Sequence, residues 1–190
     1  MKWHLKTTYD LPGEVKVIGL PNASPLIYLG KIGALPLLPQ IFEEVWTTPI
    51  VRDEVLVDTT APEYGILTSA FSSWLLVEES ANKAFEERVR GMQIHAGEAS
   101  IISLASMVAE KDPGMQVTAI LDDVMARDVA RTLGIEVTGT LGVILRCARE
   151  NLISISSGKQ FINTLAEETT FRMSTKVFSL VMQELDSIET

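Results

Sequence analysis

Five short apolar runs recur along this chain, at residues 15–20, 45–48, 74–77, 117–121 and 135–138, and each leads toward a stretch with helical patterning. That alternation constrains the fold more than any other feature. Strands separated by helices join as parallel crossovers. A parallel sheet covered on both faces needs strands that are apolar throughout, with no polar side to face water. The expected architecture is therefore α/β, a three-layer α/β/α sandwich around a mostly parallel central sheet. Helices are expected over 26–32, 35–42, 49–57, 62–72, 82–90, 95–111, 124–133 and 141–150. Gly134 suits the residue just past a helix end. Two further helices, 159–166 and 174–185, read as a C-terminal helical hairpin, with Phe161, Leu165, Val177, Leu180 and Val181 as its apolar residues. The expected division is an N-terminal extension at 1–14, free of regular period and turning at Leu11-Pro12-Gly13, a domain at 15–152, and a helical extension at 153–190 packed on it.

The run at 117–121 stops on two adjacent carboxylates, Asp122 and Asp123. The carboxyl ends of strands in an open α/β sheet are where ligands bind. Adjacent carboxylates repel each other unless a positive group stands beside them. One aspartate capping the following helix, with the other in solvent, explains the pair equally well. The other strand ends and helix starts on that edge offer Asn22 and Ser24, Asp53 and Glu54, Glu98, and Thr138 and Thr140. Oxygen-rich side chains from separate segments suit magnesium or manganese.

Other chemistries find less support. The single Cys147 excludes an internal disulfide and a multi-cysteine zinc site, and its apolar neighbours imply a buried thiol. His4 and His95 have no ligand spacing, and His95 reads as a surface or capping residue. Ser24 has no histidine base, and no phosphate loop or dinucleotide fingerprint is present. Trp3, Trp46 and Trp74 are spread singly, as packing residues are. A net charge of −9 opposes broad electrostatic binding of nucleic acid, although Arg127, Arg131, Arg146 and Arg149 could build a local basic groove. With no signal-peptide pattern and no apolar run of bilayer length, a soluble cytoplasmic protein is expected, with no membrane association.

Several blocks, in order, resemble the PIN-domain superfamily, and in particular its PIN-like branch related to VapC-type toxin ribonucleases. They are Asn22-Ala23-Ser24-Pro25-Leu26-Ile27-Tyr28-Leu29 with Lys31-Ile32-Gly33; Pro49-Ile50-Val51-Arg52-Asp53-Glu54-Val55; Gly97-Glu98-Ala99-Ser100; and Leu121-Asp122-Asp123 through Thr138-Gly139-Thr140-Leu141-Gly142. Phe171-Arg172-Met173-Ser174 before the last helix also looks like this branch. The resemblance implies metal-dependent cleavage of RNA by a water activated between carboxylates. It implies Glu54, Glu98, Asp122 and Asp123 as catalytic acids, with the register between the two aspartates open. It further implies Asn22, Glu98, Asp122 and Asp123 as ligands of Mg²⁺ or Mn²⁺, and Ser24, Arg127 and Thr140 on the substrate. RNA, a small antitoxin protein and a second copy in a homodimer are the implied partners. The departure is Asn22, where most of the superfamily has aspartate; an amide offers a neutral oxygen but no charge and no base. Two alternatives follow: a PIN-fold RNA- or protein-binding module with weakened or absent catalysis, and a metal hydrolase of small phosphorylated substrates.

Overall fold

The computed structural model describes residues 17–112 and 114–188. The extension expected at 1–14, with Trp3 and His4, lies outside the described residues, as does Pro113 of the turn before the fourth strand. Five strands form one sheet: β1 (Val17–Pro21), β2 (Glu44–Thr47), β3 (Leu75–Val77), β4 (Gln116–Ile120) and β5 (Glu136–Thr138). Their order is β3-β2-β1-β4-β5, and every neighbouring pair is parallel. Among the described residues, ten α-helices complete the three-layer α/β/α sandwich: α1 (Ala23–Lys31), α2 (Leu38–Ile41), α3 (Pro49–Val55), α4 (Tyr64–Phe71), α5 (Lys83–Arg90), α6 (Ala96–Lys111), α7 (Val124–Thr132), α8 (Thr140–Arg149), α9 (Ile155–Glu168) and α10 (Thr175–Ile188).

The chain builds outward from β1 to β3, then returns to place β4 on the other flank of β1. The reversal leaves a crevice at the carboxyl ends of β1 and β4, the usual ligand position in such sheets. The register there is tight: Pro21 pairs with Ile120, and the Asn22 amide donates to the Ile120 carbonyl at 3.0 Å. Asn22 and Asp122 therefore leave adjacent strands side by side.

The strands are buried as the apolar runs require, with Ile18, Leu20, Ala119 and Ile120 wholly inaccessible. Gly19 lets the Phe42 ring lie directly on β1, since a Cβ there would come within 2.6 Å of Cδ2. The Arg146 guanidinium sits 5.1 Å from the centre of that ring. Local signals set the helix starts. Thr48 caps α3 with Pro49 at its first position, and Gly134 takes the left-handed conformation (φ 76°) just past α7.

The hairpin of α9 and α10 packs on α8, with Leu165 and Leu185 fully buried. Phe161 is half-buried and Val181 buried, whereas Val177 and Leu180 are exposed. Helix α9 begins at Ile155, before the expected residue 159, because the Ser154 hydroxyl accepts from the Ser157 amide and caps it. No helix among the described residues is long and apolar enough to cross a membrane.

Candidate active site

The candidate residues come from five helices, α1, α3, α6, α7 and α8, in two groups. The first gathers on Gly97 of α6. Asn22 precedes α1 but does not cap it; its side chain is 3% exposed, and its Oδ1 has no hydrogen-bond partner. A Cβ at Gly97 would lie 2.8 Å from that Oδ1 and 3.2 Å from Glu54 Oε2. The amide oxygen and the carboxylate thus flank one small gap that glycine keeps open. Burial, then the charge of Glu98, lifts the Glu54 carboxyl above the usual carboxylate range, while His95 pulls it back.

A chain of hydroxyls holds α3 and α6 in this relation. The Val51 amide donates to Thr48 Oγ1 at 3.4 Å, Thr48 Oγ1 lies 2.7 Å from Ser100 Oγ, and Ser100 donates to the Gly97 carbonyl at 2.7 Å. Ser100 spends its one proton on that carbonyl, so Thr48 is the donor between the two hydroxyls. Glu54 and Glu98 are thereby carried on two helices tied at their first turns.

The second group is built on Asp122. Its Oδ1 accepts from the Thr140 amide at 2.8 Å and its Oδ2 from the Thr140 hydroxyl at 2.6 Å. Burial raises the Asp122 carboxyl, opposed by these two bonds and by the charge of Arg127. Gly139 permits the approach, since a Cβ there would stand 2.9 Å from Asp122 Oδ1. Asp123 turns the other way and caps α7, accepting from the Ala126 amide at 2.8 Å. The register left open by the sequence is thus resolved in the backbone: Asp122 faces the crevice, and Asp123 is the cap.

The remaining candidates fall around these groups. Ser24 is half-buried in the first turn of α1, and exposed Asp53 is paired with Arg52 at 2.8 Å. His95 is exposed at the start of α6 and makes no side-chain cap. Cys147 is buried, and burial pushes its thiol up to about 11, an unreactive state. The basic groove expected from four arginines does not form as one surface. Arg131 pairs with Asp128, Arg146 with Glu150 and Arg149 with Glu184, while Arg127 turns toward Asp122.

A family model described as a PIN domain matches residues 18–187. The chain belongs to the PIN-domain family. No curated protein and no solved structure matches it. The family match runs through the C-terminal hairpin, and the parallel sheet with its crevice is a nuclease-type fold. PIN domains generally use divalent metals. In this PIN domain the fit to a hard cation is best at Gly97. There a buried, unpartnered amide oxygen and the Glu54 carboxylate face one gap, within the field of Glu98. Among the described residues no three of His, Cys, Asp and Glu stand close enough to hold an ion. The donor set at that gap is accordingly two acids and one amide, and Asp122 stands apart from it on Thr140.

Sequence reasoning overlooked the parts that shape this edge without bearing charge. Gly97 and Gly139 leave room for the carboxylates, and Thr48 with Ser100 ties the helices together. Both glycines stood in the motifs, but only the folded backbone reveals what a methyl group would strike.

Proposed function

We propose that this PIN-domain protein is a metal-dependent ribonuclease related to VapC-type toxins, acting as the toxin of a toxin–antitoxin pair. The observation that carries the proposal is the gap at Gly97, faced by the orphaned Asn22 oxygen and by Glu54 within the field of Glu98. Mg²⁺ or Mn²⁺ held by Asn22, Glu54 and Glu98 would supply an activated water and neutralise the charge growing on an RNA phosphate, with Asp122 acting from the neighbouring strand end. Thr140 fixes the direction of the Asp122 carboxylate, and Arg127 provides positive charge behind it. Ser24, in the first turn of α1, is a contact for the RNA backbone on the same edge. A small antitoxin is the partner that the VapC likeness implies. Exposed Val177 and Leu180 on α10 support a homodimer contact there.

The test is cleavage of structured and unstructured RNA with Mn²⁺ and with EDTA. Cleavage is expected only with metal, and Asp122→Asn and Glu54→Gln are each expected to reduce it at least a hundredfold, by analogy with the loss of other groups that stabilise transition-state charge. Metal-independent cleavage, or full activity in both variants, would sink the proposal.

A second reading has its own observation. Asn22 contributes no charge, so the edge holds less anionic charge than a four-carboxylate site. That favours a PIN-fold RNA- or protein-binding module with weak or no catalysis. Asn22→Asp separates the readings: strong new Mn²⁺ affinity and cleavage in a variant of an inert parent would support the module.

A further inference from the structure

Phe171-Arg172-Met173-Ser174 joins α9 to α10 and takes no part in the catalysis proposed above. It is nevertheless firmly placed. The Phe171 ring meets Tyr28 of α1 edge-on, with centroids 4.9 Å apart, and the Tyr28 hydroxyl lies 3.2 Å from Thr170 Oγ1. The Phe171 amide donates to Thr169 Oγ1 at 3.0 Å, and Ser174 Oγ accepts from the Val177 amide at 3.2 Å. The linker therefore stands as a fixed wall.

That wall closes one side of a cleft of about 420 Å³, whose other side carries Asp122, Arg127 and Leu141. The volume exceeds what a lone phosphate fills and falls in the range of about 300–1,000 Å³ typical of small-ligand sites. Its charges are available. Arg127 and Arg172 make no ion pair among the described residues, whereas Arg131, Arg146 and Arg149 are each tied to a carboxylate. Arg127 Nε is buried without a hydrogen-bond partner. That atom is shut off from solvent, so Arg127 lines the cleft through the rest of its side chain, which is where an anion would meet its charge. Phe171, Met173 and Leu141 add apolar surface to the same cleft. With a net charge of −9, this protein has little long-range attraction for a polyanion, so a local built pocket is the economical way to hold one.

We propose that this cleft is a nucleotide subsite, in which a phosphate of an RNA strand lies between Arg127 and Arg172 and the attached base lies against Met173 and Leu141. The proposal rests on the ribonuclease reading above, because it places the strand beside Asp122.

The experiment measures binding of the full chain to a fluorescently labelled single-stranded oligoribonucleotide by anisotropy in EDTA, at several salt concentrations. Arg172→Ala is expected to weaken binding about tenfold and to lower the slope of log Kd against log salt by about 0.7, one single-strand phosphate contact. Arg131→Ala, which changes a paired arginine outside the cleft, is expected to leave both unchanged. Ribonucleoside 5′-monophosphates are expected to compete with the oligonucleotide better than inorganic phosphate does. An Arg172→Ala protein that binds RNA with wild-type affinity and slope overturns the subsite, even if the wild type still cleaves RNA with Mn²⁺. Equal competition by inorganic phosphate overturns the nucleotide assignment. A wild type that neither binds RNA in EDTA nor cleaves it with Mn²⁺ overturns the subsite and the ribonuclease reading together.

Discussion

Glu54 sits where its charge is least welcome in the metal-free protein. Burial and the neighbouring Glu98 both raise its carboxyl, so folding favours the protonated form. The stability that follows from the raised value is fully present below the ordinary carboxylate pKa of 4.5 and is lost as pH rises through the higher folded value. Glu54 is more than a third exposed, so solvent screens much of the effect, and the direction is the useful part. Glu54→Gln is therefore expected to melt higher than wild type at pH 7 in EDTA, with the difference vanishing toward pH 4. Thermal melts at the two pH values check this. A variant that is less stable at pH 7 would show that the carboxylate is held by favourable partners. Mn²⁺ is expected to reverse the ranking, since a ligand bound only by the folded state stabilises it by mass action. At this scale the sequence was informative about residue type and silent about direction. Asp122 and Asp123 are indistinguishable as text, and only the Ala126 amide and Thr140, which claim one carboxylate each, tell them apart.

The helices show where local signals suffice and where they mislead. The Pro49 start of α3 and the Gly134 end of α7 were readable because a first-turn proline and a left-handed glycine act within a few residues, whereas Thr48 read as strand and only the structure shows it as the cap. The start of α9 was not, because Ser156, Ser157 and Gly158 have poor helix propensity and packing overrides it. Gly158 is what the packing needs: a Cβ there would stand 3.1 Å from Leu185 Cδ2. Leu185 fixes α10 against α9 and is wholly buried. Leu185→Ala is expected to cost about 2–5 kcal/mol, the usual range for removing a buried leucine side chain. Urea unfolding measures it, and a loss below about 1 kcal/mol would mean that the hairpin docks loosely. In the sequence the linker at 171–174 carries only a family likeness; its role as a cleft wall depends on Tyr28, which is remote in sequence.

Across the whole molecule, alternation of strands and helices was enough to read the layers and the parallel sheet, because that pattern admits few arrangements. The strand order was not readable, since the return of β4 to the flank of β1 depends on contacts between distant segments. Central β1 and β4 have partners on both sides, whereas β3 and β5 are three-residue edge strands. Amide hydrogen exchange is accordingly expected to be slowest at Ile18, Leu20 and Ala119 and faster along β3 and β5 by orders of magnitude. Equal protection across the sheet would contradict this arrangement. The pairing of Pro21 with Ile120 also sets a timetable. During synthesis β2 and β3 are made before β4, the second neighbour of β1. Until then Asn22, Glu54 and Glu98 have no Asp122 on the same edge, and the wall at 171–174 is later still. A growing chain of this fold therefore lacks Asp122 and Thr140 at this edge until the segments around β4 and α8 have been made.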